Sequence, residues 1–278
     1  MKKFLAALLI VLGSSALAEH QADGSSPAVP GIKPGPGVSY TVWATKLVEP
    51  RGLLADAAGG LWVVEEKAGR VVKVAEDGTV IKIAEGFLAP HDLDIDGQGN
   101  LYVAETAPDR VMAISPAGAV TTYADGLKGP VDLAFHPRGE LLVCELVGAK
   151  VVALKSPTER RTLVSGFKPH GLAFDRSGAT IVSDWSGGRV VRVAADGQVE
   201  VIATDLQSPV GVAVGRSGDI YVAERKAGRL LRIGRDGGRT VLLEGLASPR
   251  DPAFDPQGNL YVAETDAGRI LRLSGDSW

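Results

Sequence analysis

A proline recurs along this chain at Pro50, Pro90, Pro130, Pro169, Pro209 and Pro249, at spacings of 40, 40, 39, 40 and 40 residues. Each opens a near-copy of one segment, as in PHDLDIDGQGNLYVAETAPDRVMAIS, PVGVAVGRSGDIYVAERKAGRLLRIG and PRDPAFDPQGNLYVAETDAGRILRLS. A period of this length means that one supersecondary unit is repeated, and its strand content selects the architecture. In the first unit, β-rich runs at Leu53 to Asp56, Leu61 to Glu65, Arg70 to Val74 and Thr79 to Ala84 alternate with the turn signals Gly59-Gly60, Ala68-Gly69 and Asp77-Gly78. Four short strands per unit of about 40 residues predict an all-β, six-bladed β-propeller over residues 38–278.

The ends say how the ring closes. The sixth unit reaches Trp278 after three strands, and VSYTVWATKLVEP, starting at Val38, matches the fourth-strand pattern GTVIKIAEGFLAP, starting at Gly78. Ser39 to Ala44 is therefore expected to pair with Ile270 to Leu273 and complete the last blade. Ahead of it, residues 19–37 are rich in proline and glycine and read as a disordered lead. Residues 1–18, with Lys2 and Lys3, an apolar run and small residues at Ala16 and Ala18, read as a bacterial signal peptide. The expected address is the periplasm or the medium.

No later segment approaches the about 20 apolar residues needed to span a bilayer. Without the leader the chain has 28 basic against 33 acidic residues, a formal charge of −5. A mildly acidic chain with no basic stripe is a poor match for nucleic acid, and a small molecule or a protein is the expected partner. Cys144, the only cysteine, replaces an alanine of sibling blades and reads as a buried small hydrophobe. No GxSxG, HExxH, CxxC, P-loop or EF-hand motif occurs.

Repeats supply their own control: positions alike in all blades are scaffold, and positions that vary inside a constant frame are candidates for function. Strand two ends in Glu65, Glu105, Glu145, Asp184, Glu224 or Glu264, and five residues later each unit has Arg70, Arg110, Lys150, Arg189, Arg229 or Arg269. We read these as hairpin ion pairs worth about 0.2 to 1 kcal/mol each. The position after the proline varies instead: Arg51, His91, Val131, His170, Val210, Arg250. The next position adds Asp92, Asp132 and Asp251 among glycines. In a propeller these residues enter the innermost strands and converge on one mouth of the central channel. His91, His170 and Asp92 are the candidate catalytic groups, and Arg51, Arg250, Asp132, Asp251 and Trp185 the candidate ligand-binding ones. Arg225 and Lys226 add charge to the rim, while His136 and His20 read as solvated.

The repeated GNLYVAE and GRILR motifs resemble those of NHL-repeat and SMP-30/gluconolactonase-like propellers, and also the virginiamycin B lyase family, over nearly all of residues 38–278. The resemblance implies three kinds of function: a metal-assisted lactone or ester hydrolase, a C–O or C–N lyase, or a non-catalytic binding module. SMP-30-like lactonases carry metal-binding Asn and Asp where this chain has Arg, His and Val. Virginiamycin B lyase-like proteins use slot histidines with a strand-two carboxylate, which His91 with Glu105 and His170 with Asp184 partly reproduce. Peptidyl-amidating lyases hold zinc on histidines of separated blades, as His91 and His170 would. A divalent metal (Zn, Ca or Mg) on His91 and His170 is the cofactor these likenesses suggest. If the pair instead serves an anionic ligand, affinity is expected to strengthen as pH falls through about 6.5, the unperturbed histidine value.

Overall fold

The computed structural model describes residues 29–275 apart from residue 57, so the signal-peptide reading, His20 and the first half of the lead lie outside the described residues. It contains six four-stranded antiparallel sheets in a ring, with innermost strands at Pro50–Ala55, Pro90–Ile95, Pro130–Phe135, Pro169–Phe174, Pro209–Val214 and Pro249–Phe254. The fold is the six-bladed β-propeller expected. Each inner strand begins at its proline, three residues earlier than the run at Leu53 suggests, because the slot residues belong to it.

Six apolar clusters hold the ring, one at each junction between blades. Between blades three and four, Leu142, Cys144, Val151 and Val164 face Leu172, Val182, Val191 and Val193. Cys144 is fully buried there as a free thiol. Closure follows the expected register: Val38–Ala44 pairs with Arg269–Gly275 from Val38 opposite Gly275 to Ala44 opposite Ile270. Trp43 packs edge-on against Tyr261 at 5.3 Å between ring centres, pinning the closing strand.

The lead departs from expectation within its described part. Lys33–Pro34 pairs with Arg239–Glu244, the outer strand of blade five, with Lys33 opposite Glu244 and Pro34 opposite Leu243. Ile32 is buried in the cluster between blades five and six, and the Val29 N–H donates to the Tyr40 hydroxyl at 3.0 Å. A two-residue edge strand tolerates proline, and burial of Ile32 offsets the ordering of so short a segment.

The carboxylate ring is blade scaffold of a stronger kind than a surface hairpin pair. Glu65, Glu105, Glu224 and Glu264 are fully buried and take an ion pair from the arginine five residues on. Their second oxygens accept the backbone N–H of Val48, Leu88, Gln207 and Ala247, tying each hairpin to the linker that enters its blade. A buried carboxylate that loses its charge leaves both donors poorly matched. We expect Glu224→Gln to cost about 1–3 kcal/mol, above the surface-pair range. Urea denaturation of wild type and variant measures it, and a loss below about 0.5 kcal/mol would return the ring to the surface-pair class.

Candidate functional site at the channel mouth

All six inner strands carry a register irregularity between the proline and the strand proper, for example between Pro50 and Leu53 and between Pro90 and Asp92. One extra residue on one side of a ladder bends the strand and re-aims its side chains. The residue before the proline has positive φ at Glu49, Ala89, Gly129, Ser208 and Ser248, which swings the chain from the outer linker into the channel. The two variable positions therefore point inward. Arg51, His91, Asp92, Val131, Asp132, His170, Arg250 and Asp251 line one narrow cavity of about 20 Å³.

The layer nearest the mouth holds two arginine–histidine pairs. Arg51 Nη1 lies 2.7 Å from His91 Nε2, and Arg250 Nη1 lies 3.4 Å from His170 Nε2. A guanidinium only donates, so each Nε2 presents its lone pair and each ring is the neutral tautomer with its proton on Nδ1. The two imidazoles meet edge to face at 5.2 Å between centres, from blades two and four. Burial, then Arg51, hold the His91 imidazolium well below its usual range. Burial, then Arg250, take His170 to about 3. The sequence-based expectation of histidine protonation near pH 6.5 is thus corrected: the site keeps both rings neutral across the ordinary pH range.

The arginines differ from one another. Arg51 forms an ion pair with Glu66, the residue after the blade-one ring carboxylate. Arg250 is 6% exposed, has no carboxylate in ion-pair contact among the described residues, and leaves its Nε without a hydrogen-bond partner. Burial, and then the positive charge of Arg51 and Arg225, bring its pKa down to about 9. It is still a cation at neutral pH.

One residue deeper, the aspartates staple neighbouring blades. Asp92 accepts the Leu133 N–H at 3.2 Å, Asp251 accepts the Leu53 N–H at 3.2 Å, and Asp132 accepts from Leu172. Each thus reaches to the next blade. Where the preceding blade has glycine no such bond can form, and in blade six the receiving position is Pro252, which has no N–H. Gly52 and Gly211 complete the arrangement, since a methyl at either would strike the Asp92 or Asp251 carboxylate. Burial raises all three acids, Asp92 and Asp132 strongly and Asp251 to about 7. Asp92, nominated as catalytic, is 7% exposed and already engaged with the backbone.

Above the slot layer a wider basin of about 410 Å³ opens over blades four to six, lined by Trp185, Ser208, Arg225, Lys226, Ser248 and Asp266. Trp185 forms a wall of the mouth, as its singular place in the repeat suggests. Two contributors escaped sequence reasoning. Glu66 is one, and comparing the residue after each ring carboxylate (Glu66, Thr106, Leu146, Trp185, Arg225, Thr265) would have shown that it varies. Ser183 is the other: it stands where the other blades have Val64, Ala104, Cys144, Ala223 and Ala263, accepts the Gly171 N–H and donates to the Val210 carbonyl. His136 is not simply solvated, because its Nε2 lies 2.8 Å from the Gly178 carbonyl of the next blade, away from the mouth.

The fit to a divalent metal is poor in this arrangement. The lone pairs it would need, on His91 and His170, face guanidinium groups, and the aspartates below are engaged with backbone N–H groups. A zinc site of catalytic kind needs about three such donors turned to one point, free of competing cations.

A six-bladed propeller with a cationic, imidazole-bearing pocket at one end of its channel is thus the class of protein that fold and site define. The model of the virginiamycin B lyase family matches residues 42–233, more than half of the chain, and the protein belongs to that family. No curated protein matches it. Its fold is similar to that of virginiamycin B lyase from Staphylococcus aureus (15% identity, TM-score 0.65, covering 87% of this chain and 99% of that one). It is also similar to a gluconolactonase from Xanthomonas campestris (16%, TM-score 0.76, 87% and 91%). A third likeness is the PQQ-bound aldose sugar dehydrogenase from Streptomyces coelicolor (19%, TM-score 0.70, 88% and 100%). Identities this low carry the fold, and activity has to be argued from the site.

Proposed function

We propose that the protein binds a small organic anion, a carboxylate or phosphate, at the channel mouth. The observation that carries this reading is Arg250, a buried guanidinium without a carboxylate partner. A charge taken out of water is costly unless something neutralises it, and an arginine fork suits a planar carboxylate or a phosphate. The leader, if cleaved, puts this site in the periplasm or the medium.

Membership of a lyase family and the neutral state of both imidazoles favour one chemical reading of the pocket, elimination. A carboxylate held on Arg250 would draw the guanidinium off His170 Nε2, and the lone pair so released would take the proton from the carbon beside that carboxylate. The electrons of that C–H bond would form C=C, and the C–O or C–N bond one carbon further would break with its pair leaving on oxygen or nitrogen. Burial first, and then the fields of Arg250 and Arg51, make His170 a weak base; a bound anion offsets the second part, so its basicity would rise when substrate is present. This reading stands above metal-assisted hydrolysis, for which the histidine lone pairs are poorly turned. A non-catalytic module would bind the same anion without converting it.

The pH profile of anion affinity tests the site. Histidine protonation would strengthen binding below pH 6.5, whereas neutral histidines give no such gain. Asp251 is neutral below about 7 and ionises as pH rises through that value, placing a negative charge under the pocket. Arg250 keeps its charge throughout this range, because a guanidinium stays protonated in proteins. Calorimetric titration with benzoate should therefore give constant affinity between about pH 5 and 6.5 and a fall around 7. In Asp251→Asn the fall near 7 should vanish. If it persists there and vanishes in His91→Gln or His170→Gln, the histidines carry the titration and the proton assignment is wrong.

A further inference from the structure

The charges around the two cavities do not balance. Above the aspartate layer the linings supply Arg51, Arg250, Arg225 and Lys226 against Asp266, and Glu66, outside both linings, pairs with Arg51. Two positive charges remain on this upper layer, above the three aspartates that line the floor of the inner cavity. Arg225 donates its Nε–H to the Ser248 hydroxyl at 3.1 Å rather than to a carboxylate, and Lys226 makes no ion pair among the described residues. The excess is divided in space. One part is buried at Arg250 in the narrow cavity, the other is exposed at Arg225 and Lys226 in the wide basin. Half-buried Trp185 lines that basin and is the one aromatic at its position in the repeat.

Resting on the anion-binding reading, we propose that the ligand carries two acidic groups on a planar or cyclic frame. One acid is seated on Arg250 beside His170, the second reaches Arg225 and Lys226, and the frame lies against Trp185. The inner cavity of about 20 Å³ admits no more than one acid group, so the rest of the ligand has to lie in the basin beside its two cations. Together the two spaces fall in the size range of ordinary organic ligand sites. A ring on the Trp185 face gains stacking as well as area, and the rim cations are solvated enough that their contribution is modest. Trp185, Arg225 and Lys226 are therefore specificity determinants, while Arg250 supplies the affinity common to all acids.

Benzoate, homophthalate and glutarate, titrated calorimetrically into the full chain without its leader, separate the parts. Homophthalate should bind about fivefold tighter than benzoate. The double variant R225Q/K226Q should remove that advantage and leave benzoate unchanged. Trp185→Leu should weaken homophthalate about fivefold and leave glutarate unaffected. Circular dichroism and melting of each variant confirm that the ring is intact. Equal binding of benzoate and homophthalate by wild type, or loss of both in R225Q/K226Q, overturns the two-acid proposal while the anion site stands. Benzoate binding that survives Arg250→Gln unchanged, or binding of none of the three acids, overturns the anion reading itself.

Discussion

Arg250→Met is expected to lose about 100-fold in affinity for benzoate while melting at a higher temperature than wild type. The first effect follows from a charge-assisted bond to the anion, worth about 2–3 kcal/mol once the guanidinium is buried and pre-aimed. The second follows from the same burial. At 6% exposure and without an acid partner, the cation is held away from water, and methionine fills the space without that cost. Replacing a buried charge by an apolar residue of similar volume often stabilises by about 1–4 kcal/mol, even when the charge had a partner. Opposite signs in two assays are hard to obtain from a generally damaged fold. Calorimetry with benzoate and thermal melting of the two proteins decide it. Unchanged affinity would remove Arg250 from the site, and a lower melting temperature would mean that its guanidinium is satisfied in a way the geometry does not reveal.

Removal of the closing strand is expected to have the larger effect on stability. A chain beginning at Pro50 loses Val38–Ala44, exposes the whole of Arg269–Gly275 as an unpaired edge, and strips Trp43 from Tyr261 and Ala44 from the cluster between blades six and one. It also loses Ile32 and the strand Lys33–Pro34 from blade five. An open edge next to exposed apolar surface recruits other chains. We expect aggregation during purification or, if monomer is recovered, a melting transition lowered by about 10 °C or more, given the several kcal/mol removed. Size-exclusion chromatography and melting measure it. A monomer with the wild-type melting temperature would show that the last blade stands on three strands.

How far the sequence led can be followed residue by residue. The ring was readable because every blade repeats the same proline, hairpin glycines and ion pair, so errors in one blade were corrected by five others. The meeting of His91 and His170 was readable too. Equivalent positions on a ring face one axis, and the rings lie 5.2 Å apart although the residues are 79 positions apart in the chain. Their protonation was not, because it depends on which neighbour fills the space beside each Nε2, and repeat position does not say that Arg51 and Arg250 turn toward them. Nor does it say that Asp92 and Asp251 reach sideways to the next blade rather than upward to a ligand. The pairing of Lys33–Pro34 was missed for another reason: local composition argued against a strand, and one buried isoleucine in tertiary contact outweighed it.

Closure also sets a clock. Ser39 meets Ser274 across 235 positions of sequence, so the contact that locks the ring forms between the two ends of the domain. Blades one to five can assemble in order from neighbours, each from a local meander. The sixth cannot, and a growing chain remains an open arc until its last strand arrives. Such long-range pairing slows folding relative to local contacts and leaves one interface waiting. Assembly of the pocket is tied to the same event: Arg250 reaches His170 only when blade six is in place, so an unfinished chain has no closed pocket at its channel mouth.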